Sequence, residues 1–222
     1  QINKKPDSVL GLATGSTPLG MYKELVRINK LKGVDFSQVT TFNLDEYVGL
    51  DPKNPCSYHY YMYDNFFAHI NINKERINIP NGISNDIEKM CKEYDKKIEE
   101  AGGIDLQILG IGHNGHIGFN EPGEFLKVGT HKTKLSSETI KANSRFFSSC
   151  DAVPNKAVTM GLGNILRSKE IILLASGESK ADIIKKALNG TITTNVPASF
   201  LQLHPKVCVI LDKLAAEKLV NA

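Results

Sequence analysis

The chain has 222 residues, 41% hydrophobic and 23% charged, with a formal net charge of +3. That length suits one large domain with a real core, and so small and dispersed a charge argues against a nucleic-acid or membrane partner. The four cysteines at 56, 91, 150 and 208 make no C-x-x-C pair or His/Cys cluster, which excludes the usual zinc and disulfide frameworks and fits a reducing cytoplasm, and no apolar run approaches the ~18 residues of a membrane span.

Residues 9–13 (Val-Leu-Gly-Leu-Ala) read as a buried strand ending in Thr14-Gly15-Ser16-Thr17-Pro18. Leu19, Tyr22 and Val26 then recur at helical spacing, with Thr17 as N-cap and Pro18 at the first helical position. Gly15, Ser16 and Thr17 at a helix N-terminus make a candidate anion site. It is not a Walker A loop, since no Gly-Lys-Ser/Thr follows, and a capped helix without a ligand explains the same residues. Residues 39–44 are a second strand, running into Asp45-Glu46. Neighbours on a strand face opposite ways, so one of the two acids points into any site there. A solvated turn acid is the plainer reading of such a pair.

Residues 57–70 are aromatic-rich, with Tyr63, Phe66, Phe67 and Ile70 at helical spacing. Without interleaved basic residues this reads as core and as cover for a site, not as a nucleic-acid stacking surface. Residues 77–80 are a short strand. Residues 86–100 are an amphipathic helix ended by Gly102-Gly103. Residues 104–109 are an apolar strand that leads into residues 109–122, Leu-Gly-Ile-Gly-His-Asn-Gly-His-Ile-Gly-Phe-Asn-Glu-Pro. Residues 125–142 are polar with little periodicity and read as a long loop. Arg145-Phe146-Phe147 follows. Residues 157–166 start apolar and become a short helix. Residues 171–175 are a buried strand delivering Ser176-Gly177-Glu178-Ser179-Lys180, then a helix apolar at Ile183, Ile184, Ala187 and Leu188. A lysine in that first turn opposes the helix dipole by about 0.3–1 kcal/mol. A bound anion would offset that, and an exposed lysine without a role fits equally. Residues 207–211 are a last strand and 214–220 a last helix. The alternation of strand and helix specifies an α/β fold: an open, mainly parallel sheet with helices on both faces.

Four readings compete for residues 109–122. G-x-G-x-x-G after a strand is the dinucleotide fingerprint, but Gly118 and Pro122 interrupt the helix that such a loop must open. His113, His116 and Glu121 could ligate a metal, yet the H-E-x-x-H pattern is absent and no further ligand is evident. A glycine-rich turn with satisfied core histidines is the purely structural reading. Acid/base catalysis by an imidazole oriented through a carboxylate and an amide is the fourth. With two candidate anion loops, its substrate would be a small phosphorylated molecule.

Five motifs in order, spread over nearly the whole chain, resemble the glucosamine-6-phosphate deaminase (isomerase) family. They are residues 13–20 (Ala-Thr-Gly-Ser-Thr-Pro-Leu-Gly), 41–49 (Thr-Phe-Asn-Leu-Asp-Glu-Tyr-Val-Gly), 110–122, 142–147 (Ala-Asn-Ser-Arg-Phe-Phe) and 201–206 (Leu-Gln-Leu-His-Pro-Lys). The resemblance implies one isomerase/deaminase domain with a fold like that of ribose-5-phosphate isomerase and the CoA transferases. It implies conversion of glucosamine 6-phosphate and water to fructose 6-phosphate and ammonia, with neither metal nor organic cofactor. By resemblance, His116 matches the ring-opening histidine, Asn114 and Glu121 its supporting partners, and Asp45 the isomerisation base. Gly15, Ser16 and Thr17 match the phosphate loop, with Arg145 and Lys180 its cationic ligands.

Three departures follow. Many members carry aspartate where this chain has Asn114; shorter members carry asparagine. Residues 124–134 lack the serine, arginine and lysine pattern of the allosterically activated hexameric members, which implies no activation by N-acetylglucosamine 6-phosphate and a monomer or low-order homo-oligomer. The family pattern begins one strand and one helix before Gln1, which implies a chain lacking that segment. Of the rivals, 6-phosphogluconolactonase has a similar Gly-His loop but an Asp-Gly-His-Thr run. A sugar-phosphate-sensing module needs no acid/base set and usually adjoins a DNA-binding segment, of which there is no sign here.

Overall fold

A computed structural model describes residues 1–147 and 152–219. Six strands, β1 (Val9–Leu12), β2 (Thr40–Asn43), β4 (Ile77–Asn78), β5 (Leu106–Leu109), β8 (Glu170–Ala175) and β9 (Val207–Leu211), form a sheet in the order β4-β2-β1-β5-β8-β9. Every pairing in it is parallel, for example Leu12 with Asn43 and Ile108 with Ile172. A second, antiparallel sheet joins β3 (Asp45–Tyr47), β7 (Lys156–Thr159) and β6 (His131–Lys134) in the order β3-β7-β6. The helices are α1 (Leu19–Lys30), α2 (Tyr58–Asn65), α3 (Ile87–Glu100), α4 (Ser137–Asn143), α5 (Leu162–Leu166) and α6 (Ala181–Asn189).

Alternation along the parallel strands divides the core. Leu10, Leu12 and Ile108 pack with Tyr22 of α1 and with Met62 and Phe66 from α2 and the turn after it. Val9, Ala13, Leu109 and Leu173 pack on the other face with Tyr94 and Ile98 of α3, Ile165 of α5 and Ile184 of α6. Asp86 caps α3 by accepting Lys89 N–H (2.9 Å). Gly102 and Gly103 end that helix at φ +82° and +78°, where a side chain would be strained.

Three local expectations change. Thr17 does not cap α1: Pro18 holds the cap position and makes no side-chain cap bond, which leaves the Thr17 hydroxyl out of the helix. The loop expected over 125–142 contains β6 and α4. The strand of β6 is His-Lys-Thr-Lys, with no fully buried residue, so hydropathy could not mark it. Helix α4 has seven residues, too few for a periodic stripe to register. Where a last helix was expected, residues 213–219 form successive turns, and Val220 lies outside the described residues. Cys150 does too; Cys56, Cys91 and Cys208 are free thiols. No helix among the described residues is long and apolar enough to cross a membrane.

The amino ends of the central strands share one anchor. The Asp105 carboxylate, 3% exposed, accepts Val9 N–H (2.8 Å), Lys5 Nζ (2.7 Å) and Lys169 Nζ (2.7 Å). Burial alone would raise its pKa; the hydrogen bonds from Lys169, Lys5 and Val9 outweigh it and hold the carboxyl at about 2. A carboxyl depressed in the folded state stabilises the fold above its unfolded pKa of about 4, and that contribution fades as pH falls toward 2. Asp105→Ala should therefore cost about 1–3 kcal/mol in urea unfolding at pH 7, and the gap to the parent should narrow at pH 2.5. An equal gap at both pH values would refute this role.

Candidate active site

The chain runs from β1 outward to β2 and β4, then returns to β5, β8 and β9. The order therefore reverses between β1 and β5, and α/β sheets bind ligands beyond the carboxyl ends of strands at such a point. A cavity of about 250 Å³ opens there. Gly15, Ser16, Thr17, Asp45, Asn114, His116, Arg145 and Lys180 all line it. Glu121 does not; it stands behind His116.

The loop after β1 forms one wall. Its carbonyls are turned away by two tyrosines: Tyr22 Oη donates to Ala13 O (2.6 Å) and Tyr61 Oη to Gly15 O (2.6 Å). Among the described residues the N–H groups of Gly15, Ser16 and Thr17 meet no protein acceptor. Gly15 sits at φ +92°. Free N–H groups before a helix start are what an anion needs. Arg145, in the turn after α4, reaches across to Ser16 Oγ (3.3 Å). Lys180 precedes α6 and donates to Ile111 O (2.7 Å). Burial first, then the Arg145 charge, lowers Lys180 to about 8, with Glu138 opposing. Two cations and three amides thus face one end of the cavity.

Residues 110–122 form a second wall. No helix follows β5, in keeping with the interruptions at Gly118 and Pro122. The turn is closed by Gly112 N–H donating to His116 O (2.9 Å) and Gly115 N–H to Gly112 O (3.1 Å). Gly112 is needed for closeness: a Cβ there would lie 2.3 Å from His116 Cε1. His116 Nδ1 is 3.6 Å from Glu121 Oε2 and 3.4 Å from Thr139 Oγ1. Asn114 Nδ2 donates to the same Glu121 oxygen (2.7 Å), and its Oδ1 accepts His116 N–H (3.2 Å). Ser136 N–H adds a bond of 3.3 Å to Glu121 Oε1. Burial would raise the Glu121 carboxyl, but His116, Thr139 and Asn114 together bring it down to about 2. Glu121 is thus a fixed negative charge behind an imidazole. His113 lines the rim, its pKa lowered by partial burial and by Lys180.

Asp45 forms the floor. The chain leaves the parallel sheet at Leu44 and enters the antiparallel one at Asp45, which pairs with Thr159. The adjacent acids part as alternation requires. Asp45 faces the cavity, whereas Glu46 turns behind it to accept the N–H groups of Tyr47 (2.8 Å), Tyr58 (3.0 Å) and His59 (2.8 Å). Asp45 is 6% exposed. Burial, then the Glu46 charge, pushes its carboxyl up to about 8.

Tyr58, Glu138, Thr139 and Asn143 also line the cavity and were not foreseen. Three of them lie on α4, and two of those, Glu138 and Thr139, fall inside the expected loop. The signal for that helix is Ser136, which caps it by accepting Thr139 N–H (3.1 Å), with Glu138 in its first turn. A serine followed by an acid before Ile140 is a helix-start signature.

The profile of the family described as glucosamine-6-phosphate isomerases/6-phosphogluconolactonase matches residues 1–209. A glucosamine-6-phosphate deaminase of Thermoanaerobacter pseudethanolicus is 61% identical over 97% of this chain and 85% of its own length. One from Clostridium botulinum (strain Langeland) is 60% identical over 99% and 90%. A solved structure of a monomeric glucosamine-6-phosphate deaminase superposes with a TM-score of 0.95 at 50% identity, over 98% of this chain and 90% of that one. A 6-phosphogluconolactonase from Thermotoga maritima shares the fold, with a TM-score of 0.74 at 22% identity over 95% and 88%. Loop N–H groups beside two cations, a buried carboxyl and an imidazole backed by a carboxylate around one cavity fit this kinship, and the chain belongs to the glucosamine-6-phosphate isomerase/6-phosphogluconolactonase family.

Proposed function

We propose that the chain is a glucosamine-6-phosphate deaminase, releasing fructose 6-phosphate and ammonia from glucosamine 6-phosphate and water. The observation that carries this reading is one cavity lined by the Asp45 carboxyl, the His116 imidazole and the cations Arg145 and Lys180. A ring-closed amino sugar phosphate needs all three.

Phosphate is held by the N–H groups of Gly15, Ser16 and Thr17 and by Arg145 and Lys180. His116 moves a proton between O1 and the ring oxygen O5, so that the C1–O5 bond breaks and an open-chain aldehyde forms. The ionised Glu121 favours the imidazolium that this transfer passes through, and Asn114 orients the pair. Asp45, as carboxylate, takes the proton from C2 while the electron pair moves into the aldehyde, giving an enol-type intermediate. It returns the proton to C1, leaving an iminium at C2. Water adds there, and the carbinolamine collapses with loss of ammonia. Each step is a proton transfer or an addition, which side chains and water can perform. A phosphorylated sugar is retained by the cell that phosphorylates it, so we place the enzyme in the cytoplasm. The low-order assembly rests on residues 124–134, which lack the effector-site pattern.

The test is ammonia release from glucosamine 6-phosphate, with lactonase activity on 6-phosphogluconolactone in parallel; lactonase activity without ammonia would sink the reading. Asp45→Asn should lower turnover by about 10²–10⁴-fold, the range of a positioned general base. It should also stop exchange of the C2 proton with solvent, and persistent exchange would remove Asp45 from that role. In the pH profile of kcat/KM, Asp45 must be ionised and Lys180 protonated, and both titrate at about 8 in the free protein. The profile should thus peak at about pH 8, rising as Asp45 loses its proton and falling as Lys180 loses its own. In Lys180→Arg the alkaline fall should vanish, because a guanidinium does not titrate there; an unchanged fall would assign that limb elsewhere. N-acetylglucosamine 6-phosphate should leave the rate curve in place, and a marked left shift would contradict the absence of an effector site.

A further inference from the structure

Of the two buried acids at the start of β3, one has every oxygen engaged and the other has none. Glu46 is 3% exposed. Its Oε1 accepts Tyr47 and Tyr58 N–H, and its Oε2 accepts His59 N–H (2.8 Å). Tyr58 and His59 open α2, whose N-cap is Ser57. Glu46 therefore binds the positive end of that helix, where a carboxylate is favoured. Burial raises its pKa, and the three N–H bonds oppose that rise. Among the described residues the Asp45 carboxylate meets no hydrogen-bond donor that would stabilise its charge.

The clasp has a second consequence. Tyr58 lines the same cavity as Asp45. Its hydroxyl donates to Tyr47 Oη (3.3 Å), which also accepts Asn143 Nδ2 (2.9 Å). One carboxylate thus joins β3, the first turn of α2 and, through two tyrosines, the end of α4. We propose that Glu46 is a positioning residue for the reaction above: it ties Tyr58 to the strand that carries Asp45, and its negative charge favours the proton-bound form of Asp45. The assignment rests on Asp45 being the base.

The other titratable groups around Asp45 are tyrosines: Tyr47 on its own strand, Tyr58 on α2, Tyr22 on α1 and Tyr94 on α3, all with hydroxyls raised by burial. They are neutral across the working range. Thr159, opposite on β7, does not titrate. His116, His113, Glu138, Arg145 and Lys180 line the cavity, but among the described residues Glu46 is the charge that bears on Asp45. Two interacting carboxyls share their titration, and the one with three donors keeps the charge.

Three measurements on the full chain separate charge from clasp. In Glu46→Gln the acidic limb of kcat/KM should move down by about 0.5–2 pH units, the span of a like-charge interaction between water-like and protein-like screening. In Glu46→Asp the charge remains but the shorter arm cannot reach both N–H groups of α2. Its limb should stay within a few tenths of a unit of the parent while kcat/KM falls several-fold. The third is a carboxyl ¹³C NMR titration of Asp45 with and without the Glu46→Gln change, which reads the same shift without any turnover. An unmoved Asp45 titration in folded Glu46→Gln overturns the charge role. A parent-like Glu46→Asp overturns the clasp. Should Glu46→Gln not fold, the Glu46→Asp limb decides: a limb displaced as far as 0.5 pH unit overturns the charge role, and a retained limb supports it. Failure of the function itself shows separately, as absent ammonia release in the parent, and leaves the NMR shift readable.

Discussion

The junction at Leu44 holds the two halves of this molecule in register. Its N–H donates to Leu12 O in the parallel sheet, and its carbonyl accepts Met160 N–H from the antiparallel one. One residue thus belongs to both hydrogen-bond systems, and the next, Asp45, is fixed where they meet. On one side lies the loop after β1, with its free N–H groups. On the other, Thr159 pairs with Asp45 and its Oγ1 accepts Phe119 N–H (2.9 Å), which secures the turn that carries His116. Moving either sheet would separate the loop after β1 from Asp45 and His116.

That placement sets two carboxyls apart chemically. Asp45 and Glu121 are both buried, and burial raises both. Glu121 is met by an imidazole, a hydroxyl and an amide and falls to about 2; Asp45 meets a like charge instead and rises to about 8. Pairs whose environments push them in opposite directions divide the acid/base work. A carboxyl near 2 is a permanent charge and cannot exchange protons usefully near neutrality. One near 8 can take and return a proton, as a base that shuttles between neighbouring carbons must. An uncompensated buried carboxylate is costly, and that cost is what raises the Asp45 carboxyl. An ammonium group on the substrate would lower the cost in the complex.

Much of this was legible in the sequence. Buried strands announce themselves as short apolar runs, and the five long strands of the parallel sheet fall within one or two residues of those runs. Most candidate site residues could be collected because they follow a strand end or sit in a glycine-rich turn; Arg145, in the turn after α4, was reached only through the resemblance of residues 142–147 to the family. What escaped was structure whose stabilisation is not written in its own residues. The strand His131–Lys134 exists because β7 pairs with it; its sequence carries no apolar alternation. Helix α4 is held by a serine cap and by packing of Ile140 beside Tyr47 and Phe119. The identity of Thr139 as a neighbour of His116 follows from that docking alone. Thr17 shows the converse error: local propensity marked it as a cap, while the backbone starts the helix at Pro18 and leaves the hydroxyl at the cavity.

The family holds two chemistries on one fold, and the fold cannot choose between them. A TM-score of 0.74 at 22% identity separates this chain from a lactonase by sequence far more than by shape. Hydrolysing a lactone asks for one base to activate water at a carbonyl that already exists. Deaminating a ring-closed amino sugar asks for two proton movers at once, one to open the ring and one to shift hydrogen between carbons. We read Asp45 and His116 as that pair: Asp45 lies beside the like charge of Glu46, and His116 is backed by the carboxylate of Glu121. The antiparallel sheet carries Asp45 at one end of β3, and through Thr159 it braces the turn that presents His116, so that one small sheet holds both residues in place.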